Sequence, residues 1–102
     1  MSRPRVLVVD DDFAVAGLHT GFLDADGRLE VVGSAHTGAD ALRLVDECAP
    51  DLVLLDIYLP DMTGVEVLRR LRSREGAPVD VIAITAAREL ETVRAAMAGG
   101  VL

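Results

Sequence analysis

The sequence predicts a doubly wound α/β fold with a parallel sheet, and three observations point to it. Apolar runs of strand length, at residues 5–9, 29–34, 51–55 and 79–84, alternate with stretches of helical period. The first, third and fourth runs are apolar on both faces, as parallel strands covered by helices on either side must be. The connections are short, and a βαβα order with short links favours right-handed crossovers in one sheet.

The first strand is Arg5-Val6-Leu7-Val8-Val9, which stops at Asp10-Asp11-Asp12. Val15, Leu18 and Phe22 then recur at helical spacing, with Asp12 placed to cap that helix. After the second strand, Thr37 with Asp40 forms a modest capping pair ahead of Leu42 and Val45. The third strand, Leu52-Val53-Leu54-Leu55, stops at Asp56. Thr63-Gly64-Val65-Glu66 is a capping box for a third helix carrying Val67, Leu68 and Leu71. A fourth strand ends at Thr85, Ala86 and Ala87, and Leu90, Val93 and Met97 mark a fourth helix with Gly99 at its C-terminus. Gly99-Gly100-Val101-Leu102 reads as the exit from that helix and the entry to a fifth strand that is cut short, so a fragment is expected.

Length and charge bound the function. A chain of 102 residues is one domain, burying roughly two thirds of the surface its unfolded form exposes. The formal net charge of −7 opposes a nucleic-acid-binding surface within these residues, because phosphate contacts need clustered Lys and Arg. There is no Lys, which removes Schiff-base chemistry. The single cysteine, Cys48, excludes an internal disulfide and fits a reducing compartment; with no signal peptide and no apolar run of about 20 residues, the expected location is the cytoplasm.

Ligands of such folds bind outside the carboxyl ends of the strands. Asp10 and Asp11 end one strand and Asp56 another, and neighbouring carboxylates repel unless a cation binds or a proton is taken up. Oxygen ligands of this kind make a Mg²⁺ site, since the ion keeps much of its water and completes its shell with phosphate oxygens. With magnesium bound, Asp56 could act as the nucleophile that forms an aspartyl phosphate, while the Thr85 hydroxyl and main-chain N–H groups receive the transferred oxygens. Small Ala86 leaves room for that phosphoryl group.

Three motifs, Val-Leu-Val-Val-Asp-Asp at 6–11, Leu-Leu-Asp-Ile-Tyr-Leu-Pro-Asp-Met-Thr-Gly at 54–64 and Ile-Thr-Ala at 84–86, resemble the receiver domain of two-component response regulators over the whole chain. More narrowly, Asp-Ile-Tyr-Leu-Pro-Asp and Ile-Thr-Ala-Ala followed by Glu-Thr-Val are similar to regulators paired with citrate and C4-dicarboxylate sensor kinases. The resemblance implies a flavodoxin-like sheet of order 2-1-3-4, with a fifth strand and last helix missing, and residues 1–102 as an incomplete receiver domain whose output domain is absent. It implies that Asp56 accepts phosphate from a kinase phosphohistidine. It further implies that Asp11, Asp56 and the Tyr58 main-chain carbonyl bind Mg²⁺, that Asp10 assists through water, and that Thr85 senses the phosphoryl group. The implied partners are a sensor histidine kinase, a second copy of the chain, and DNA only through a C-terminal output domain. The Lys, aromatic switch residue and final helix that such receivers carry after the fourth helix have no counterpart here.

Two other readings stay open at this point. Asp10-x-Asp12 also fits the start of haloacid-dehalogenase-like phosphatases, with Asp10 as nucleophile, although Ala14, the absence of Lys and the short chain oppose it. A receiver-like module that works without phosphorylation is the third. Among the remaining residues, Pro60 and Gly64 read as loop geometry, His19, His36 and Cys48 as surface or packing residues, and Arg69, Arg70, Arg72 and Arg74 as a solvated basic face. Met62 reads as an exposed loop residue, and Tyr58 is placed to overhang the site.

Overall fold

In the computed structural model, residues 3–76 and 78–84 are described. Thr85, Ala86, Ala87, the expected fourth helix with Leu90, Val93 and Met97, and the glycines at 99 and 100 lie outside the described residues. The elements follow the expected order: β1 (Arg5–Val9), α1 (Phe13–Asp26), β2 (Glu30–Ala35), α2 (Gly38–Cys48), β3 (Leu52–Asp56), α3 (Gly64–Ser73) and β4 (Asp80–Ile84).

All strand pairings are parallel, and the sheet order is β2-β1-β3-β4. Register sets which side chains share a face: Leu7 pairs with Val53, Val9 with Leu55, and Val53 with Val81. Together with Ala41 and Val45 of α2 and Val67, Leu68 and Leu71 of α3, these residues form one buried core on one side of the sheet. Full burial of each Val or Leu contributes about 1.5–3 kcal/mol. By strand alternation Val6 and Val8 turn to the other side, where α1 packs on β1 and β2. That side is less covered toward β4, where Ile82 is 36% exposed. β1, buried from Val6 to Val9, and β3, in which buried and half-buried residues alternate, each pair on both sides and are inner strands, whereas β4 pairs with β3 alone among the described residues.

The helix ends are capped as the sequence foretells. Asp12 accepts from the Ala14 and Val15 N–H groups, Thr37 from Asp40 N–H, and Thr63 from Glu66 N–H. Gly27 ends α1 in the left-handed conformation at φ 77°, which a Cβ would disfavour. Helical spacing located α1 but not its inner face. Ala16 is buried while Leu18 and Phe22 are 63% and 74% exposed, because apolar residues surround this helix and leave no single stripe to set its phase.

Candidate functional site

Register also builds the site. Because Val9 pairs with Leu55, the next residues, Asp10 just past β1 and Asp56 at the last position of β3, stand side by side at the carboxyl edge of the sheet. One carboxylate oxygen each from Asp10, Asp11 and Asp56 can be chosen so that all three lie within 4.8 Å of one another. Asp10 is 7% exposed, the buried charged residue among those described. Its N–H donates to the Ala35 carbonyl at 3.0 Å, and its carboxylate accepts the Asp12 N–H at 2.9 Å. Asp11 is exposed, and half-buried Asp56 accepts the Tyr58 N–H at 3.1 Å.

Burial pushes the Asp56 carboxyl up to about 6; the Tyr58 N–H works against this, and the negative charges of Asp10 and Asp11 reinforce it. A cation in this corner would remove the repulsion, and an all-oxygen donor set suits a hard one.

The loop after β3 is tied down on several sides. Gly64 N–H donates to the Ile57 carbonyl, and Tyr58 and Thr63 face each other across an antiparallel bridge. A Cβ on Gly64 would stand 2.6 Å from the Asp56 carbonyl oxygen and 2.7 Å from Ile57 Cα, so only glycine lets the start of α3 close on the end of β3. The Asp61 carboxylate accepts from Gly38 N–H at 2.7 Å and Ala39 N–H at 2.9 Å, satisfying free donors at the start of α2. Those bonds hold its carboxyl below the usual range. Nothing local in sequence announces this contact, which spans more than 20 positions.

Met62 differs from its expected exposure: it is half-buried and packs toward Gly38 against the core, since the loop folds back over α2. Tyr58 is 50% exposed beside the carboxylates. The basic cluster on and just after α3 is divided among several partners, with Arg69 and Arg70 on Glu66, Arg72 on the Val79 carbonyl and Arg74 on Asp46. His36, expected as a surface or packing residue, packs its ring on Phe13 and also lies against the site, its Nδ1 2.8 Å from the Asp10 carbonyl oxygen. Cys48 ends α2, half-buried. A cleft of about 570 Å³ beside Phe22 and Leu29 includes none of the three carboxylates, so size does not mark the chemistry. Among the described residues no helix is long and apolar enough to cross a membrane.

The model of the response regulator receiver domain matches residues 6–102. The chain belongs to the response regulator receiver family. A transcriptional regulatory protein, CitT of Halalkalibacterium halodurans, is 37% identical over 100 residues, covering 96% of this chain and 43% of that protein. A protein-glutamate methylesterase/protein-glutamine glutaminase of the same organism is 42% identical over 96 residues, covering 94% of this chain and 28% of the relative. This receiver chain therefore spans less than half the length of either. Among solved structures, the signal receiver domain of NarL from Mycobacterium tuberculosis superposes with a TM-score of 0.91 at 36% identity, covering 99% of this chain and 81% of that one.

Family membership sets aside the phosphatase reading, and the geometry gives the reason. Where that reading needs a second acid, the Asp12 carboxylate is engaged by the Ala14 and Val15 N–H groups and stands outside the trio.

Proposed function

We propose that this receiver domain is a phospho-acceptor, in which Asp56 takes a phosphoryl group from the phosphohistidine of a sensor kinase in the cytoplasm. The observation that carries this reading is the carboxylate trio within 4.8 Å at the edge of β1 and β3, with Asp56 half-buried among them. The donor set fits Mg²⁺: Asp11, Asp56 and the Tyr58 carbonyl would hold it, with Asp10 assisting through water. When bound, Mg²⁺ supplies positive charge that offsets the trio and the phosphoryl oxygens.

Asp56 must be ionised to attack. With its pKa near 6 the carboxylate form outnumbers the acid by about ten to one at pH 7. Its oxygen attacks phosphorus, the N–P bond of the phosphohistidine breaks, and the electron pair returns to the imidazole, which takes up a proton. The Tyr58 N–H, donating to Asp56 Oδ1, fixes the orientation of the carboxylate. Thr85 and Ala86, outside the described residues, are assigned the phosphoryl oxygens by the Ile-Thr-Ala motif. Residues 1–102 then form the signalling input, and the output is transcriptional control by a domain beyond them. That choice rests on the likeness to CitT and on 35% identity over 89 residues to the probable C4-dicarboxylate response regulator DctR of Priestia megaterium. Phosphorylation is proposed to drive homodimerisation of the receiver.

Titration calorimetry with Mg²⁺ and beryllofluoride, a phosphoryl mimic, tests the reading. Beryllofluoride is expected to bind only with Mg²⁺ and not to Asp56→Asn. A chain that binds Mg²⁺ yet ignores beryllofluoride would be a receiver that works without phosphorylation.

A further inference from the structure

We infer that His36 is a positioning residue of the acidic site, acting as an obligatory Nδ1–H donor that locks the Asp10 carbonyl and thereby the turn carrying Asp10 and Asp11. The inference rests on the reading of the trio as a Mg²⁺ site, and goes beyond it in assigning a role to a side chain that contributes no ligand.

The geometry allows one polarity. The partner of Nδ1, at 2.8 Å, is a main-chain carbonyl oxygen, which can only accept. Nδ1 must therefore carry the proton, and the neutral ring is confined to the Nδ1–H tautomer. The place of the bond matters as much as its sign. Asp10 is already held at its N–H by Ala35 and at its carboxylate by the Asp12 N–H. His36, the next residue after Ala35, closes the remaining main-chain group, so among the described residues every polar atom of Asp10 but one carboxylate oxygen has a partner, from the end of β2, from His36 just past it or from the turn itself. The ring is in turn oriented by Phe13, the first residue of α1, at a centroid separation of 3.8 Å and an interplanar angle of 29°. Phe13 is 72% exposed, so its large ring gains little burial from the fold and serves chiefly as the platform for the imidazole. A carbonyl left without its donor lets the turn relax, and ligands held by second-layer hydrogen bonds lose metal affinity when those bonds are cut.

Two substitutions separate the donor from the stack. His36→Asn puts an amide N–H where Nδ1 stood and gives up the stacked ring, whereas His36→Phe keeps a ring on Phe13 and gives up the donor. With thermal unfolding in EDTA confirming that each variant folds, Mg²⁺ affinity by calorimetry is expected to fall about tenfold in His36→Phe and to stay within about twofold of the parent in His36→Asn. Unchanged affinity in His36→Phe, or an equal loss in both variants, would overturn the assignment. No Mg²⁺ binding by the parent chain would instead overturn the metal reading on which it rests. Should His36→Phe fail to fold, a long-range ¹H–¹⁵N spectrum of the unaltered chain above the histidine titration range decides the matter. The Nδ1–H tautomer is expected for His36, and the Nε2–H tautomer would refute the bond.

Discussion

Removing the charge of Asp56 should stabilise the metal-free domain at neutral pH, although Asp56 is the residue on which the proposed chemistry depends. Its carboxyl titrates near 3.8 when unperturbed and is pushed up to about 6 in the folded chain. Between those values the folded chain binds more protons than the unfolded one, so stability falls as pH rises through this window; below it the penalty is absent and above it complete. The shift alone corresponds to about 3 kcal/mol as an upper limit. Water reaches this half-buried group, and screening reduces the effect to about 1–2 kcal/mol. Asp56→Asn in EDTA at pH 7.5 is therefore expected to unfold about 5–10 °C above the parent, with the gap shrinking as pH falls from 6 toward 4. Calorimetric melts across that range measure it. Added Mg²⁺ should raise the parent's melting temperature and leave the Asn variant nearly unmoved, since ligand binding stabilises only a state that binds it. A destabilised Asn variant at pH 7.5 without metal, or a gap independent of pH, would refute the electrostatic account.

Three further outcomes follow from local geometry. Gly64→Ala drives a Cβ against the Asp56 carbonyl oxygen and Ile57 Cα, both main-chain atoms, and should cost about 1–3 kcal/mol in urea unfolding while weakening Mg²⁺ binding. Asp12→Ala removes the α1 cap and should cost about 1 kcal/mol, with Mg²⁺ affinity unchanged because Asp12 is outside the trio. His19 carries a buried Nε2 with no partner among the described residues, so His19→Leu should hold or raise the melting temperature at pH 7.5; a clear fall would mean that the nitrogen is satisfied.

Much of the architecture was legible because the relevant signals are local. Strand runs ending in Asp10 and Asp56, and caps at Asp12, Thr37 and Thr63, depend on neighbours within a few positions, and each stands where the sequence put it. The convergence of Asp10, Asp11 and Asp56 also follows from local signals once the strands lie parallel and adjacent. What escaped the sequence depends on contacts between distant segments. Asp61 reaches the start of α2, Met62 folds onto Gly38, and His36 finds the Asp10 carbonyl; each partner is more than 20 residues away. The face of α1 escaped for a different reason, since Leu18 and Phe22 have the spacing of a core stripe yet stay exposed while Ala16 turns inward. Periodicity locates a helix, but where several faces are apolar only packing decides its rotation.

The most direct test of the central claim is intact-protein mass spectrometry after incubation with acetyl phosphate, with and without Mg²⁺, on the parent chain and on Asp56→Asn. A single phosphoryl adduct that appears only with Mg²⁺ and only when Asp56 is present is the predicted result. An adduct that persists in the Asn variant, or a parent chain that binds Mg²⁺ and forms none, would contradict the assignment of Asp56 as the phospho-acceptor.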